Sequence, residues 1–339
     1  MTKLSDAAEY CTQGSSRHAR GDLDGALAEF TRALDIDPAY AVAWNNRGAT
    51  RHALGDLAGA RLDFDQALER EPRYAEAYNN RGIVRHATGD FMGARGDFDQ
   101  ALSLQPENVA THSNRAVTRL VLEDYAGAIS DFDQVIRAHP SAAEAYHGRA
   151  AARRGLWDLS GAAADYGRVL GLVPRERAAP VYHLRGAIFF CQRRFADAVA
   201  DFNEALAIDP NLCMVYISRG NARYHLRDLG ALADYQFAFK LDAQATAAEI
   251  IRTVRADLEE DTAAAFENCR KHVRICPEDL IAYVRRGLML CLLGRVLEAA
   301  QDFDKSLSLS SASGVREHIK LLRSTAHRAR VSGTASIEP

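Results

Sequence analysis

Residues 41–74 read AVAWNNRGATRHALGDLAGARLDFDQALEREPRY, and this stretch decides the fold. Its first part, Trp44–Ala53, carries small and apolar residues at helical spacing. Gly55 follows as a helix terminator, because glycine adopts left-handed backbone angles at little cost. Asp56 can then cap a second helix, which ends before Pro72 because proline cannot continue it. The stretch therefore predicts two short helices joined by a tight turn.

The same arrangement recurs along the chain at a fixed period. Prolines stand at steps of 34 residues, at Pro38, Pro72, Pro106, Pro140 and Pro174. Alanine occupies one equivalent position in each of nine copies: Ala26, Ala60, Ala94, Ala128, Ala162, Ala198, Ala231, Ala265 and Ala299. A period of this length is typical of arrays in which one unit cannot bury its apolar face alone. The sequence therefore predicts helix pairs stacked around a continuous core.

The order of residues within each copy resembles the tetratricopeptide repeat family. Units of that family place an aromatic, a small residue, alanine, an aromatic, alanine and proline at fixed offsets. The first full copy here reads Tyr10, Gly14, Ala26, Phe30, Ala33 and Pro38, and the second reads Trp44, Gly48, Ala60, Phe64, Ala67 and Pro72. The resemblance covers about residues 7–311. It implies an all-α fold, a right-handed superhelical solenoid of about nine helix-turn-helix repeats with a C-terminal capping helix.

Departures from the strict period divide the chain into two parts. Two residues are inserted around residues 175–178, and one is lost near Gly230. We therefore expect five regular units over residues 7–174 and four less regular units over residues 175–311.

The end of the chain has a different pattern. Val315, Ile319 and Leu322 form an apolar stripe on a basic segment, which is typical of a helix that covers the last face of an array. We expect this capping helix over residues 312–330. The segment of residues 331–339 is short and polar, and we expect it to form a disordered tail.

Composition limits the classes of function. The 339 residues are 47% hydrophobic and 26% charged, with a formal net charge of -3, so no general attraction to nucleic acid or anionic membrane is expected. The longest apolar run, Leu288–Leu293, is far shorter than the roughly 18 residues that span a bilayer. The first residues lack the pattern of a secretory signal, and the six cysteines lack paired spacing. We therefore expect a cytoplasmic protein with reduced thiols.

The residues offer no pattern for catalysis or for a cofactor, since there is no glycine-rich phosphate loop, no HExxH and no Cys/His metal spacing. His18, His52 and His86 recur at the repeat period. A metal would need their nitrogens about 2 Å from one ion, whereas neighbouring repeats separate them by at least a helix-packing distance. We predict no enzyme activity, no metal and no cofactor. The histidines are interpreted as a solvated series along the binding surface.

Arginines recur in pairs four residues apart on the first helix of a unit, as at Arg81 and Arg85. One interpretation is a basic stripe for a polyanion. The other is that each pair meets an aspartate of the second helix, here Asp97. Charge favours the second, because residues 41–74 hold five arginines and five acids, and a nucleic-acid binder needs an excess of positive charge. We therefore predict a structural Arg–Asp ladder.

Asparagines recur at Asn46, Asn80 and Asn114, and the first two follow Asn45 and Asn79. In the family that the sequence resembles, this position lines the concave groove, and some members hold an extended peptide by such a series. A carboxamide suits that role because it offers a peptide group both a donor and an acceptor. The alternative is that these amides are simply solvated.

Apolar anchors are also needed, because three carboxamides at about 0.5–1.5 kcal/mol each cannot supply micromolar affinity. Phe190 and Tyr224 map to groove positions of the less regular units, with Met214, Ile217 and Leu288 as further candidates. The alternative, favoured for each of these residues, is that it belongs to the core.

The family's two-carboxylate clamp for chaperone C-termini is not expected, since its lysines are missing. The positions concerned hold Cys11, Asn45, Asn79, Glu76 and Ala110. We predict a non-enzymatic scaffold or adaptor whose groove binds a protein or peptide partner, with acidic peptides favoured at mildly acidic pH, where histidine gains charge. The alternative is a regulatory or assembly subunit that docks through the convex face or the C-terminal helix.

Overall fold

The computed structural model consists of helices joined by short turns over all the residues it describes. These are residues 2–228, 230–242, 245–246, 249–250, 252, 262–275, 277–293, 295–309, 316–317 and 319–324. The chain divides into two compact units, Met1–Leu172 and Val173–Pro339, which we call the N-terminal and C-terminal units. Helix pairs in both units confirm the predicted all-α repeat class.

The N-terminal unit holds five helix pairs in chain order. They are α1 (Thr2–Ala19) with α2 (Leu23–Ile36), α3 (Ala41–Ala53) with α4 (Leu57–Arg70), α5 (Ala75–Ala87) with α6 (Phe91–Leu104), α7 (Val109–Val121) with α8 (Tyr125–Ala138), and α9 (Ala143–Gly155) with α10 (Leu159–Leu170). Each helix packs against its pair partner, and the second helix of a pair packs against the first helix of the next. From α3 onward, the first helices of the pairs begin 34 residues apart, at Ala41, Ala75, Val109 and Ala143.

The turn between the two helices of a pair follows the predicted chemistry. Gly55 has a φ of +84°, in the left-handed region that only glycine adopts cheaply. The Asp56 carboxylate then accepts a hydrogen bond of 2.9 Å from the backbone N–H of Gly59 in the first turn of α4. This contact satisfies one of the orphan amides of the helix start.

A small residue and an aromatic ring set the distance between the two helices of a pair. A Cβ atom placed on Gly48 of α3 would lie 2.7 Å from Cε1 of Phe64 on α4, closer than real Cβ contacts. Phe64 and Ala60 are both fully buried. The predicted register of small and aromatic positions is therefore confirmed in this repeat. The side chain of Ala265, one of the nine predicted alanines, lies outside the described residues.

The fourth repeat packs differently. Ala116 stands where the second and third repeats have glycine, and the ring of Phe132 lies against Gly148 of the next repeat. A Cβ atom on Gly148 would clash with that ring. Gly148 follows Asn46, Asn80 and Asn114 at the repeat period, so the asparagine series stops where Phe132 needs the space.

The C-terminal unit begins with a short 3-10 helix, Arg175–Arg177, at the predicted insertion. Its helices are α11 (Ala179–Cys191), α12 (Phe195–Ile208), α13 (Cys213–His225), α14 (Gly230–Leu241), α15 (Thr262–Ile275), α16 (Leu280–Leu292) and α17 (Val296–Leu309). One hydrophobic core runs through this unit and includes Phe202, Tyr235, Leu288 and Phe303.

Residues 316–317 and 319–324 are helical, and Ile319 and Leu322 are buried in the core of the C-terminal unit. Val315 and the expected tail at residues 331–339 lie outside the described residues. Within the part of the chain that the structure describes, none of the helices combines the length and the apolar character needed to cross a bilayer.

Candidate functional site

The first helices of the five N-terminal pairs, α1, α3, α5, α7 and α9, contact one another in chain order. They form a continuous surface, which we call the first-helix face. Asn46 on α3, Asn80 on α5 and Asn114 on α7 lie at equivalent positions of this face and are half-buried. The series therefore runs across three neighbouring helices.

The second and third asparagines of the series are each held by an asparagine of the preceding repeat. Asn80 donates from Nδ2 to Oδ1 of Asn45 over 3.0 Å, and Asn114 donates from Nδ2 to Oδ1 of Asn79 over 3.1 Å. Asn45 is fully buried and also donates to Glu76 over 3.2 Å. Asn45 therefore positions Asn80 and is out of reach of a ligand.

The exposed edge of the series keeps hydrogen-bonding capacity. Asn79 donates from Nδ2 to Oδ1 of Asn80 over 3.4 Å, so Asn80 uses one N–H and one lone pair in its contacts with Asn45 and Asn79. A carboxamide has two N–H groups and two acceptor sites. In the hydrogen bonds that the structure describes, one donor and one acceptor of Asn80 are left, which is the pair that a peptide group needs.

At the start of the series, Asn46 reaches back to the first repeat. Its Nδ2 lies 3.4 Å from Oγ of Ser15 and 3.6 Å from Sγ of Cys11. Burial raises the pKa of the Cys11 thiol, so this cysteine is a neutral packing group at physiological pH. The Asn46 Oδ1 atom accepts a hydrogen bond of 3.3 Å from Nδ2 of Asn45, so Asn46 is held from its own helix and from the first repeat.

Two of the three predicted histidines bridge neighbouring repeats. His18 Nδ1 lies 3.0 Å from Oγ1 of Thr50, and Thr50 donates its only hydroxyl proton to the backbone oxygen of Asn46 over 2.8 Å. The threonine oxygen must therefore accept a hydrogen bond from Nδ1–H of His18. This contact fixes the tautomer of the neutral ring and leaves Nε2 as its other polar atom.

The same bridge occurs two repeats later. His86 Nδ1 lies 2.9 Å from Oγ1 of Thr118, which donates to the backbone oxygen of Asn114 over 3.0 Å. For His52 the corresponding residue is Val84, which offers no oxygen. The three histidines are therefore not equivalent, a difference that their equal spacing in sequence does not reveal. Among the described residues, no cluster of three or more His, Cys, Asp or Glu side chains could hold a metal.

Apolar side chains lie beside the asparagine series. Val117 and Val121 follow Asn114 by three and seven residues on α7, so all three lie on one side of that helix. Val117 is 45% exposed and Val121 is 49% exposed. Sequence reasoning missed them because it looked for anchors in the less regular repeats; their helical spacing from Asn114 is the signal that could have found them.

The predicted arginine–aspartate ladder is confirmed. Asp97 is buried, with Nη2 of Arg81 at 2.6 Å and Nη1 of Arg85 at 2.8 Å from its oxygens. The same pairing recurs at Arg47–Asp63, Arg115–Asp131, Arg149–Asp165, Arg185–Asp201, Arg219–Asp234 and Arg286–Asp302. These arginines neutralise buried carboxylates, so they do not form a basic stripe.

The ladder also links neighbouring repeats. Nη1 of Arg81 lies 2.7 Å from Oδ1 of Asp65 in the preceding repeat. Burial alone would lower the pKa of the Arg81 guanidinium, but hydrogen bonds and charge from Asp97 and Asp65 outweigh burial and raise it. Equivalent links join Arg115 to Asp99 and Arg149 to Asp133. The second aspartate of each Asp-Phe-Asp motif was the unused sequence signal.

The predicted anchors of the C-terminal unit separate into two groups. Ile217 and Leu288 are fully buried, so they are core residues and cannot meet a ligand. Phe190 and Tyr224 are half-buried, and Met214 is 42% exposed. Only the last three keep surface that a partner could contact.

Comparison with sequence models of protein families identifies repeats over most of residues 14–212. A TPR repeat model matches residues 14–55, and tetratricopeptide repeat models match residues 53–109, 113–176 and 179–212. Comparison with curated proteins finds no match.

Several solved structures share the fold. YrrB, a TPR protein with an unusual peptide-binding site, matches with a TM-score of 0.52 and 20% identity over 55% of this chain and 95% of that chain. The pilF protein of Pseudomonas aeruginosa matches with a TM-score of 0.52 and 18% identity over 62% of this chain and 95% of that chain. A tetratricopeptide repeat protein of Parabacteroides merdae matches with a TM-score of 0.50 and 20% identity over 70% and 94%. At these identities the similarity is one of fold.

Proposed function

The chain belongs to the tetratricopeptide repeat family, and from this premise we propose that it is a non-enzymatic scaffold that binds protein or peptide partners. The binding surface is the first-helix face of the N-terminal unit. A partner segment lies there in extended form, with its backbone against Asn46, Asn80 and Asn114. His18, His52 and His86 line the same face beside it.

One observation carries this proposal: the carboxamides of Asn80 and Asn114 are fixed in place before any partner arrives. Their bonds to Asn45 and Asn79 remove rotamer freedom that binding would otherwise have to remove. Solvated amides, the alternative interpretation, would not need such partners in the preceding repeat. Because the repeats are regularly spaced, the carboxamides offer donors and acceptors at regular intervals along the backbone of an extended partner.

Hydrogen bonds alone do not supply the required affinity. Three sites at about 0.5–1.5 kcal/mol each fall short of the roughly 8 kcal/mol of a micromolar complex. Val117 and Val121 add exposed apolar surface next to Asn114 and would receive an aliphatic or aromatic side chain of the partner. We therefore propose backbone recognition at Asn46, Asn80 and Asn114, with an apolar contact beside Asn114 on α7.

We also propose the division of the chain into regular repeats over residues 7–174, less regular repeats over residues 175–311 and a capping helix over residues 312–330. In the helix near the end of the chain, the buried side holds Ile319 and Leu322, and the exposed side holds charged residues. Docking through this end would therefore use charged contacts, and nothing in the described residues favours that alternative over the first-helix face.

The test uses short random peptides displayed on phage and selected against the full chain. Enriched peptides should bind the N46A/N80A/N114A variant at least about tenfold more weakly, which corresponds to 1.4 kcal/mol. Replacing exposed Asn211 by alanine is the matched control and should change nothing. N-methylation of single peptide bonds in an enriched peptide should abolish binding at some positions. Equal affinity of the triple variant for every enriched peptide would refute the proposal.

A further inference from the structure

One row of residues on the first-helix face changes character along the N-terminal unit. His18, His52 and His86 are 34 residues apart, and the same step leads to Leu120 on α7 and Arg154 on α9. Arg154 lies in the last turn of α9 and is exposed. The row that begins with three histidines therefore ends with a fixed positive charge, because an arginine side chain keeps its proton in proteins.

The guanidinium of Arg154 does not belong to the arginine–aspartate ladder. Its neighbour Arg153 takes that place, with Nη1 at 2.8 Å from Asp165 and Nε at 3.6 Å from Asp158. Glu123, in the turn after α7, is exposed and does not come within ion-pair distance of Arg154. In the described part of the chain, no hydrogen bond or ion pair holds the Arg154 guanidinium. A carboxylate from a partner could therefore bind it without displacing another.

The charge of Arg154 acts on the side chains around it. Partial burial lowers the pKa of His147, one face of α9 away by two turns, and the positive charge of Arg154 lowers it further. No acid of the neighbourhood cancels this effect by pairing with Arg154. The end of α9 is therefore positive, whereas the guanidinium groups of the ladder are neutralised.

Apolar surface lies one repeat before this charge. Val117 and Val121 on α7 are exposed. The equivalent positions of Asn114, Val117 and Val121 on α9 hold only small residues, which are Gly148, Ala151 and Gly155. The rings of Phe132 and Tyr125 occupy the space that side chains at the two glycines would take. Beside the valines the surface of α9 is therefore low, which leaves room for a side chain of the partner.

The distance between the apolar surface and the charge sets a spacing in the partner. Packed helices lie about 8–10 Å apart. An extended chain advances about 3.3 Å per residue. About three residues therefore lead from a side chain over α7 to one that meets Arg154 on α9. The carboxamides can bind a peptide group in either chain direction, so the acidic residue can precede or follow the apolar one.

We propose that Arg154 selects the partner of the first-helix face by pairing with an Asp or Glu side chain, about three residues from an apolar side chain that rests on Val117 and Val121. This inference rests on the proposed function, because the asparagine series is what lays the segment across α7 and α9. Arg154 is then a specificity-determining residue. A nucleic acid does not fit, because one free arginine provides no positive groove along a phosphate backbone.

The probe is a fluorescein-labelled peptide from the enriched set of the display selection, amidated at its C-terminus, with one Asp or Glu about three residues from Leu, Ile, Phe or Trp. R154Q should bind it about three- to fivefold more weakly, which is the range of an exposed ion pair. R154Q should not distinguish the probe from its version with Gln in place of the acid. R154E should prefer a version with Lys there.

The matched control is R137Q. Arg137 is also exposed and also lies in the last turn of its helix, but that helix is α8, a second helix. It therefore shares with Arg154 the favourable position of a cation at a helix end. R137Q should leave peptide binding unchanged. Both R154Q and R137Q should melt within about 2 °C of the parent chain, because both are surface changes.

Reversal of the charge preference in R154E supports the proposal, since a loss of packing or of helix stability would not follow the charge of the peptide. Undiminished binding of the acidic probe by R154Q overturns it, as does an equal loss in R137Q or a selection without an acidic residue near the apolar one. Binding that R154Q keeps but N46A/N80A/N114A loses removes this specificity alone. Binding that neither variant loses removes the proposed function as well.

Discussion

Asn80 donates a hydrogen bond of 3.0 Å from its Nδ2 to Oδ1 of Asn45, which lies in the preceding repeat and is fully buried. This bond shows that the two adjacent asparagines of a repeat have different roles, which their sequence does not reveal. One asparagine of each pair holds the repeats together, and the other keeps a donor and an acceptor at the surface. The division of roles makes the two positions separable by mutation.

Asn45→Ala should therefore cost stability, and Asn46→Ala should cost binding. Removing the buried carboxamide strands its hydrogen-bond partners, and we expect a loss of about 1–3 kcal/mol in free energy of unfolding. The half-buried Asn46 should cost less than half as much. Urea unfolding followed by circular dichroism measures both. A larger loss for Asn46→Ala would reverse the assignment of roles.

Asp97→Ala should destabilise the chain strongly. The change leaves Arg81 and Arg85 partly buried without their shared carboxylate. We expect a loss of about 2–4 kcal/mol in the free energy of unfolding. This is less than for a fully buried ion pair, because both guanidinium groups retain some contact with water. Asp99, two residues away and 44% exposed, is the matched control, and Asp99→Ala should cost less than about 1 kcal/mol. Equal losses for the two variants in denaturant unfolding would contradict the ladder's structural role.

Ala94→Leu should overpack the contact between α6 and its neighbours, because Ala94 is fully buried. The expected cost is about 1–3 kcal/mol. Gly96 lies on the open side of the same helix, where an added Cβ meets nothing within 4 Å. Gly96→Ala should raise stability by about 0.5–1 kcal/mol, since alanine favours the helix. Calorimetry on the pair tests the register: the two melting temperatures should move in opposite directions.

Gly148→Asn should fail to extend the asparagine series, because the Phe132 ring occupies the space of the new side chain. We expect a loss of about 1–3 kcal/mol from overpacking. Adding Ala116→Gly should restore most of it, since Phe132 can then pack as Phe98 does against Gly82. The double variant should also bind enriched peptides more tightly. If Ala116→Gly gives no recovery in thermal unfolding, the two positions are not coupled.

Acid should weaken the fold through His183. Burial lowers the pKa of this histidine, so in the window below the usual histidine pKa the unfolded chain binds more protons than the folded chain. Stability is therefore present above that window and is lost as pH falls through it. We expect a lower melting temperature at about pH 5 than at about pH 7.5, and a smaller difference in His183→Gln. Exposed His139→Gln serves as control, and an unchanged difference in both variants would show that other groups cause the acid sensitivity.

Much of the fold could be read from local signals. Gly55, Asp56 and Pro72 mark the turn and the helix ends through their own backbone preferences, and these preferences act over a few residues. The pairing of Arg81 with Asp97 was also predictable, because both recur at the repeat period and charge balance requires partners for the arginines. The link from Arg81 to Asp65 was not predicted, since it depends on how closely two repeats stack.

The candidate site was predicted less completely. The positions of Asn46, Asn80 and Asn114 followed from the resemblance, but the spacing could not tell that Asn45 is buried or that Asn45 and Asn79 are the residues that hold the next repeat. Ile217 and Leu288 map to groove positions in the sequence, and the structure shows the favoured alternative, since both are buried in the core.

The sequence by itself determined the helix pairs, their boundaries and the family, because periodic small, aromatic and turn residues act through short-range backbone preference and burial. Only the tertiary structure decided which polar groups are already used and which remain for a partner. Hydrogen bonds between Asn80 and Asn45, or between His18 and Thr50, join residues more than thirty positions apart. Whether such groups meet depends on distances of a few tenths of an ångström, which the stacking of repeats sets.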